Sequence, residues 1–140
     1  RLGEYRSVAV KINRAEATHA LALPQEADLN ELAAAASLRA RGNGRPVFVT
    51  LGEEGILACD AGGWMRVTSV RTHEPIDPVG AGDAVLAGIA SALASGATVA
   101  EAALVGNLCA AVVIRKLGTT GTASPAEVEE RLHVWQEQQA

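Results

Sequence analysis

The sequence is poor in aromatic residues and in clustered positive charge, and both shortages exclude classes of protein. Only 3% of the 140 residues are aromatic, which leaves few side chains for stacking on nucleic-acid bases. The net charge is -4 and the lysines and arginines are scattered, so no nucleic-acid-binding surface is expected. The two cysteines, Cys59 and Cys109, lack metal-ligand spacing and are expected to be buried thiols in a reducing compartment.

The sequence also lacks an apolar run long enough to cross a bilayer. Residues 84–114 carry one charged residue, Glu101, but Ser95-Gly96-Ala97-Thr98 divides this run into pieces. Each piece is shorter than the ~20 apolar residues that a membrane span requires. With no signal-like stretch near the N-terminus, a cytoplasmic location is expected. The chain begins at Arg1 rather than Met, so it is expected to be a piece of a longer protein.

Two common phosphate-binding fingerprints are missing as well. No stretch offers the Walker pattern of glycine, four residues, Gly-Lys and Ser or Thr. At Gly80-Ala81-Gly82, a dinucleotide fingerprint would require a third small residue where the chain has Val85. These absences exclude the two commonest glycine-rich nucleotide loops.

What the sequence does contain is the motif Asp77-Pro78-Val79-Gly80-Ala81-Gly82-Asp83, directly before an apolar helical pattern. Glycines without side-chain bulk allow backbone amides to approach an anion, and the positive end of the following helix favours negative charge. Asp83 would stay ionised there and could accept the proton of an attacking hydroxyl. The combination favours phosphoryl transfer to an alcohol, and a purely structural turn is the alternative.

Alternating strand and helix patterns predict an α/β domain over residues 1–140. Strands are predicted at 7–12, 46–51, 56–60 and 64–70, and helices at 13–23, 28–41, 80–95, 98–116 and 124–138. This order favours a mostly parallel sheet covered by helices on both faces, with a ligand crevice at the carboxyl ends of the strands. Three polar or glycine-containing segments follow strands and are candidates for one site: residues 13–16, 50–55 and 77–83.

Three motifs together resemble the C-terminal half of the ribokinase-like (PfkB) carbohydrate kinases. They are Lys11-Ile12-Asn13-Arg14-Ala15-Glu16, Thr50-Leu51-Gly52-Glu53-Glu54-Gly55 and the motif from Asp77 to Asp83. The resemblance implies a three-layer sandwich and ATP-dependent phosphorylation of a sugar or sugar-phosphate hydroxyl. Lys116-Leu117-Gly118-Thr119 adds a likeness to the heptose-phosphate kinases of this family. A nucleotide-binding module without kinase activity is the alternative.

The resemblance also implies catalytic roles for the glycine motif. Asp83 would be the catalytic base, and the backbone amides of Gly80, Ala81 and Gly82 would form the anion hole for the transferred group. The sugar-binding half of these kinases precedes the matching region, so the 140 residues alone are expected to be inactive. The expected partner is a small sugar or sugar phosphate, without nucleic acid or membrane, and a homodimer is a further option.

Cofactor roles are implied for five residues in the first two motifs. Asn13 and Glu16 would organise Mg²⁺ and its waters beside the ATP phosphates, since this cation prefers oxygen ligands and keeps its waters. Thr50, Gly52 and Gly55 would line the nucleotide. A solvated helix-face carboxylate at position 16 and a plain hairpin turn at 52–55 are the structural alternatives.

The remaining implied positions lie later in the chain. Asn107 would lie beside the base or ribose of the nucleotide, with a buried structural role as the equal alternative. Asp77, the carbonyl of Val79 and Gly118 match the region where many relatives hold a monovalent cation such as K⁺. Such a cation would tune the local electric field rather than perform chemistry.

Overall fold

The computed structural model describes residues 7–140 of the chain. These residues form two compact units. The first unit contains the described residues up to Leu51 together with Ile56–Arg66, and the second contains Gly52–Gly55 together with Val67–Ala140. The single domain predicted over residues 1–140 stays a prediction, and its first six residues lie outside the described part.

The first unit is built on a four-stranded sheet. Its strands are β1 (Val10–Asn13), β2 (Val47–Thr50), β3 (Ile56–Asp60) and β4 (Gly63–Val67), and they lie in that order. β1 and β2 are parallel, whereas β2 and β3 are antiparallel. The sheet is therefore mixed rather than mostly parallel. The reason is the short connection between β2 and β3, since a parallel pair needs a crossover of about a dozen residues or more.

Two helices of the first unit follow from local capping signals. Helix α1 (Arg14–Ala20) begins after Asn13, and helix α2 (Leu29–Asn43) begins after Asp28. Each start has a capping box, in which the cap side chain and a glutamate three residues later bond each other's backbone amides. The polar Ser37 of α2 is buried. Small and aliphatic residues of α2 pack with residues of the sheet in an apolar cluster: Leu32, Ala33, Ala36, Ala40, Val49 and Leu57.

The second unit is mainly helical. It contains a short 3-10 turn (Gly52–Glu54) and helices α3 (Ala81–Ala94), α4 (Val99–Val113) and α5 (Pro125–Gln139). α3 and α4 account for the apolar run noted in the sequence. Within residues 7–140, no helix combines the length and the apolar character that a membrane span requires.

Helices α3 and α4 approach each other closely through two glycines. A Cβ atom added to Gly88 of α3 would lie 3.1 Å from the Cα atom of Gly106 in α4 and 3.0 Å from the sulfur of Cys109. A Cβ added to Gly106 would lie 3.0 Å from a side-chain carbon of Ile89. Because larger side chains would push the helices apart, these glycines set the distance between α3 and α4.

Several element boundaries differ from the sequence-based ones. β1 begins at Val10 rather than at residue 7, and Ser7 has a left-handed φ of 59°. β4 ends at Val67 instead of reaching residue 70. At this end of the strand, the carbonyls of Val67 and Thr68 accept hydrogen bonds from a helix side chain, Asn107. α1 ends at Ala20 and α4 at Val113, each one turn or less before the predicted end.

Both cysteines are free thiols, as expected from the sequence. Cys59 is fully buried in the core of the first unit, and Cys109 is half-buried in α4. Burial raises the pKa of the Cys59 thiol to about 11 and also raises the pKa of Cys109. Because the thiolate is the reactive form, neither residue has the character of a nucleophile.

Candidate functional site

In the first unit, two predicted site residues meet at the carboxyl ends of parallel strands. Asn13 is the last residue of β1 and lies opposite Thr50, the last residue of β2. The Thr50 hydroxyl donates a long hydrogen bond of 3.5 Å to the carbonyl of Ile12. Polar side chains at this edge of a parallel pair are a common setting for ligand binding in α/β folds.

Asn13 and Glu16 are joined by the capping box that starts α1. The Asn13 Oδ1 atom accepts from the Glu16 amide at 2.8 Å, and the Glu16 Oε2 atom accepts from the Asn13 amide at 2.8 Å. Both residues are exposed. The capping box is a structural function for both, and it also fixes the Glu16 carboxylate at a solvent-accessible helix start.

In the second unit, residues Gly52–Gly55 form a tight turn, called the nucleotide turn after the role that the family resemblance implies for it. The Gly55 amide donates to the Gly52 carbonyl at 3.1 Å, and both glycines have positive φ values of 61° and 102°. A Cβ atom added to Gly55 would lie 2.0 Å from the Val67 carbonyl oxygen. The Ser69 hydroxyl donates to the Glu53 carbonyl. The nucleotide turn is therefore held closely against residues 67–69.

Asp77 links two segments of the second unit. Its Oδ1 atom accepts from the Val79 amide at 3.0 Å, and its Oδ2 atom accepts from the Gly118 amide at 3.2 Å. The Asp77 amide donates to the Ile114 carbonyl at 2.7 Å. The three positions assigned to a monovalent cation thus lie together, held by hydrogen bonds to one carboxylate.

The glycine motif continues from Asp77 into the start of α3. Gly80 is the N-cap with a left-handed φ of 83°, and no side chain caps this helix, whereas each of α1, α2, α4 and α5 begins with a capping box. The Ala81 amide donates to the Pro78 carbonyl at 3.1 Å. Gly82 and Asp83 are exposed in the first turn. The bend and its acid are therefore accessible to a ligand, beside the positive end of a helix dipole.

Asn107 is buried in α4, and its amide nitrogen has protein partners. The Nδ2 group donates to the carbonyls of Val67 at 2.9 Å and Thr68 at 3.1 Å. These bonds provide partners for the buried amide nitrogen. They match the buried structural role that the sequence analysis gave as the alternative for Asn107. Trp135 of α5 donates its Nε1 hydrogen to the same Thr68 carbonyl at 2.9 Å. No local sequence pattern signals this partner of Trp135, because Thr68 lies 67 residues away in the chain.

Metal ligands are not clustered in the part of the chain that the structure describes. Within residues 7–140, no group of three or more histidine, cysteine, aspartate or glutamate residues is arranged to hold a metal ion. The three histidines, His19, His73 and His133, are all exposed and on separate segments.

The chain belongs to the pfkB family of carbohydrate kinases, whose sequence profile matches residues 6–127. It is 37% identical over 121 residues to the bifunctional protein HldE of Gluconacetobacter diazotrophicus, a match that covers 86% of this chain. The chain spans 25% of that relative's length. The family resemblance seen in the three motifs is thereby confirmed.

Solved structures show the same fold. Phosphofructokinase-2 from Escherichia coli in complex with potassium has a TM-score of 0.83 at 21% identity, covering 95% of this chain and 43% of that chain. Arabidopsis thaliana ribokinase complexed with ribose and ATP has a TM-score of 0.77 at 20% identity, covering 89% and 40%. The predicted ribokinase-like fold is confirmed, with a mixed four-stranded sheet and flanking helices.

Proposed function

We propose that the protein carrying this chain transfers the γ-phosphoryl group of ATP to a hydroxyl of a sugar or sugar phosphate. Membership of the pfkB family supports the reaction class. The observation that carries the proposal is the start of α3, where an exposed Asp83 follows a glycine bend without a side-chain cap. An uncapped helix start attracts an anion, and the carboxylate beside it can accept a proton.

In the proposed reaction, Asp83 takes the proton of the sugar hydroxyl, and the hydroxyl oxygen bonds to the γ-phosphorus. The bond between that phosphorus and the bridging oxygen breaks, so ADP leaves with the electron pair. The amides of Gly80 and Gly82 and the α3 dipole are proposed to stabilise the charge on the moving group. The Ala81 amide, which was also expected in the anion hole, instead donates to the Pro78 carbonyl at 3.1 Å. Phosphoryl transfer depends mainly on such positioning and electrostatic stabilisation.

The cofactors are ATP and Mg²⁺. Thr50, Gly52 and Gly55 are proposed to line the nucleotide, because glycine allows a ligand to approach the backbone closely. Asn13 and Glu16 are proposed to hold Mg²⁺ through its waters, because an exposed carboxylate suits this well-hydrated cation. Asn107 is proposed to lie beside the base or ribose of the nucleotide.

A monovalent cation is a further part of the proposal. The Asp77 carboxylate accepts hydrogen bonds from the amides of Val79 and Gly118. These bonds support the proposal, because they hold the backbone at both positions, with its carbonyl oxygens, close to the carboxylate. The potassium complex of phosphofructokinase-2 supports K⁺ as the ion to test. The cation would adjust the electric field at the α3 start.

The proposed acceptor is a heptose phosphate, because Lys116-Leu117-Gly118-Thr119 resembles the heptose-phosphate kinases of this family. The cytoplasmic location and the homodimer expected from the sequence stay predictions.

The test is ADP release by the full-length protein with ATP, Mg²⁺ and a panel of heptose 7-phosphate, fructose 6-phosphate and ribose. We expect release that depends on the sugar and is fastest with the heptose phosphate. ATP binding without any sugar-dependent ADP release would contradict the kinase proposal. It would favour the alternative, a nucleotide-binding module without kinase activity.

A further inference from the structure

One peptide group of the second unit is held by two helices at once. The Thr68 carbonyl accepts from Trp135 of α5 at 2.9 Å and from Asn107 of α4 at 3.1 Å. The Trp135 Nε1 group also lies 3.2 Å from the Thr68 hydroxyl oxygen. A carbonyl oxygen has two lone pairs, so these donors occupy its full accepting capacity. The position of residue 68 is thus determined from two directions.

The same segment lies directly against the nucleotide turn. A Cβ atom on Gly55 would lie 2.9 Å from the Thr68 Cα atom and 2.9 Å from the Ser69 amide nitrogen. On the other side of the turn, the Ser69 hydroxyl donates to the Glu53 carbonyl. Because backbone meets backbone here without intervening side chains, a shift of residues 67–69 must move the nucleotide turn.

We infer that Trp135 is a positioning residue for the nucleotide turn, acting through Thr68 together with Asn107. The inference rests on the proposed function, in which this turn lines ATP. Trp135 also packs in the apolar cluster around Val70, Leu108 and Ala111. Packing alone would need only an aromatic ring, whereas the directed Nε1 hydrogen bond fixes residue 68 in place.

The variant that separates the two roles is Trp135→Phe in the full-length protein, which keeps an aromatic ring and removes the donor. Hydrogen exchange of residues 52–55 without ligand is the first readout. We expect the exchange of this turn to rise about fivefold, the factor that corresponds to one hydrogen bond of ~1 kcal/mol. Val128→Ala is the matched control, because Val128 packs in the same cluster on α5.

The second readout is the affinity for ATP. We expect Trp135→Phe to raise the Kd for ATP and its KM about fivefold, with kcat within about twofold. Ser69→Ala, which removes the bond to Glu53, should raise the Kd as well. In the double variant, the Kd for ATP should rise by less than the product of the two single fold-changes, because both substitutions act on residues 67–69.

The outcomes distinguish this inference from the proposed function. Faster exchange of the turn in Trp135→Phe, but not in a Val128→Ala variant of equal thermal stability, supports the positioning role. Unchanged exchange and unchanged ATP affinity in Trp135→Phe, with wild-type protein binding ATP normally, would overturn it. Wild-type protein that shows no ATP binding would contradict the proposed function itself, whatever the exchange data show.

Discussion

At Gly55 the neighbouring backbone leaves no room for a side chain. It has a φ of 102°, and a Cβ atom would lie 2.0 Å from the Val67 carbonyl. The sequence predicted a glycine turn here from spacing alone. It could not show this contact, because the two residues are brought together by the fold of the second unit.

We therefore predict that Gly55→Ala lowers stability by more than the ~1–2 kcal/mol expected for a left-handed non-glycine residue. Chemical denaturation of the full-length protein measures the change. Gly44→Ala is the control, because Gly44 has a φ of 65° and no atom within 4 Å of an added Cβ. Equal losses in the two variants would show that the contact with Val67 is unimportant.

Asp77 uses both carboxylate oxygens as acceptors of backbone amides. In Asp77→Asn, the new amide group would face a backbone donor, so one of the two bonds is lost and a donor is left without a partner. We predict a loss of about 1–3 kcal/mol in the free energy of unfolding. Asp60→Asn is the control, since Asp60 accepts one such bond, from the Gly62 amide, through a single oxygen. A larger loss in the control would contradict the assignment.

Residue-level prediction from sequence succeeded where the partner is local. The pairs Asp28/Glu31 and Thr98/Glu101 have the spacing that is typical of a capping box, and both form one. Asn13 and Glu16 have the same spacing, but the family resemblance implied a ligand role for them, with a solvated carboxylate as the alternative for Glu16. The structure adds the capping box. The partners of Asn107 lie 39 and 40 residues away, beyond the reach of any local pattern.

At the scale of elements, the contact between α3 and α4 is set by small residues. A Cβ on Gly88 would meet backbone atoms of Gly106 and Val105 at 3.1 Å. We predict that Gly88→Ala destabilises the protein by about 1–3 kcal/mol through overpacking, although alanine is the better helix former.

The substitution Gly42→Ala is expected to change stability in the opposite direction. Gly42 lies in α2 with no atom within 4 Å of an added Cβ. Alanine should therefore stabilise the protein by up to ~1 kcal/mol through helix propensity. Thermal unfolding of both variants gives the comparison. A stabilising Gly88→Ala substitution would contradict the close packing of α3 and α4.

Helix α5 is anchored by charge as well as by packing. Glu127 accepts from the Ser124 amide at 2.8 Å and pairs with Lys116 at 2.9 Å. The hydrogen bond from the Ser124 backbone, followed by the interaction with Lys116, lowers the pKa of Glu127 from 4.5 to about 2. Nearby ion pairs join Arg115 to Glu74 and Arg131 to Glu130.

Because the pKa of Glu127 is lowered on folding, ionised Glu127 stabilises the native state above its unfolded-state pKa of 4.5. This contribution is lost as the pH falls from there to about 2. We predict that the stability difference between wild type and Glu127→Gln is constant above pH 4.5 and shrinks towards pH 2. Urea unfolding across this range measures it, with Glu129→Gln as the control for lost charge on the same helix. A difference independent of pH would contradict the role of Glu127.

At the scale of the whole molecule, the order of elements and three spaced motifs were enough to predict the family and the fold. The mixed character of the sheet was not predicted, because alternation of strands and helices says little about which strands pair. The hairpin-like connection at 52–55 was visible in the sequence, and it is the feature that reverses β3. Division into two units also depends on contacts that no periodic pattern contains.

The measurement that tests the central claim most directly compares Asp83→Asn with wild type in the full-length protein, using ATP, Mg²⁺ and the preferred sugar. The account predicts that kcat falls by about 10²–10⁴-fold, because the general base is lost, while calorimetry shows little change in ATP affinity. Glu129→Gln, the same loss of charge on an exposed face of α5, should leave kcat unchanged. Turnover by Asp83→Asn at the wild-type rate would contradict the assignment of Asp83 as the base.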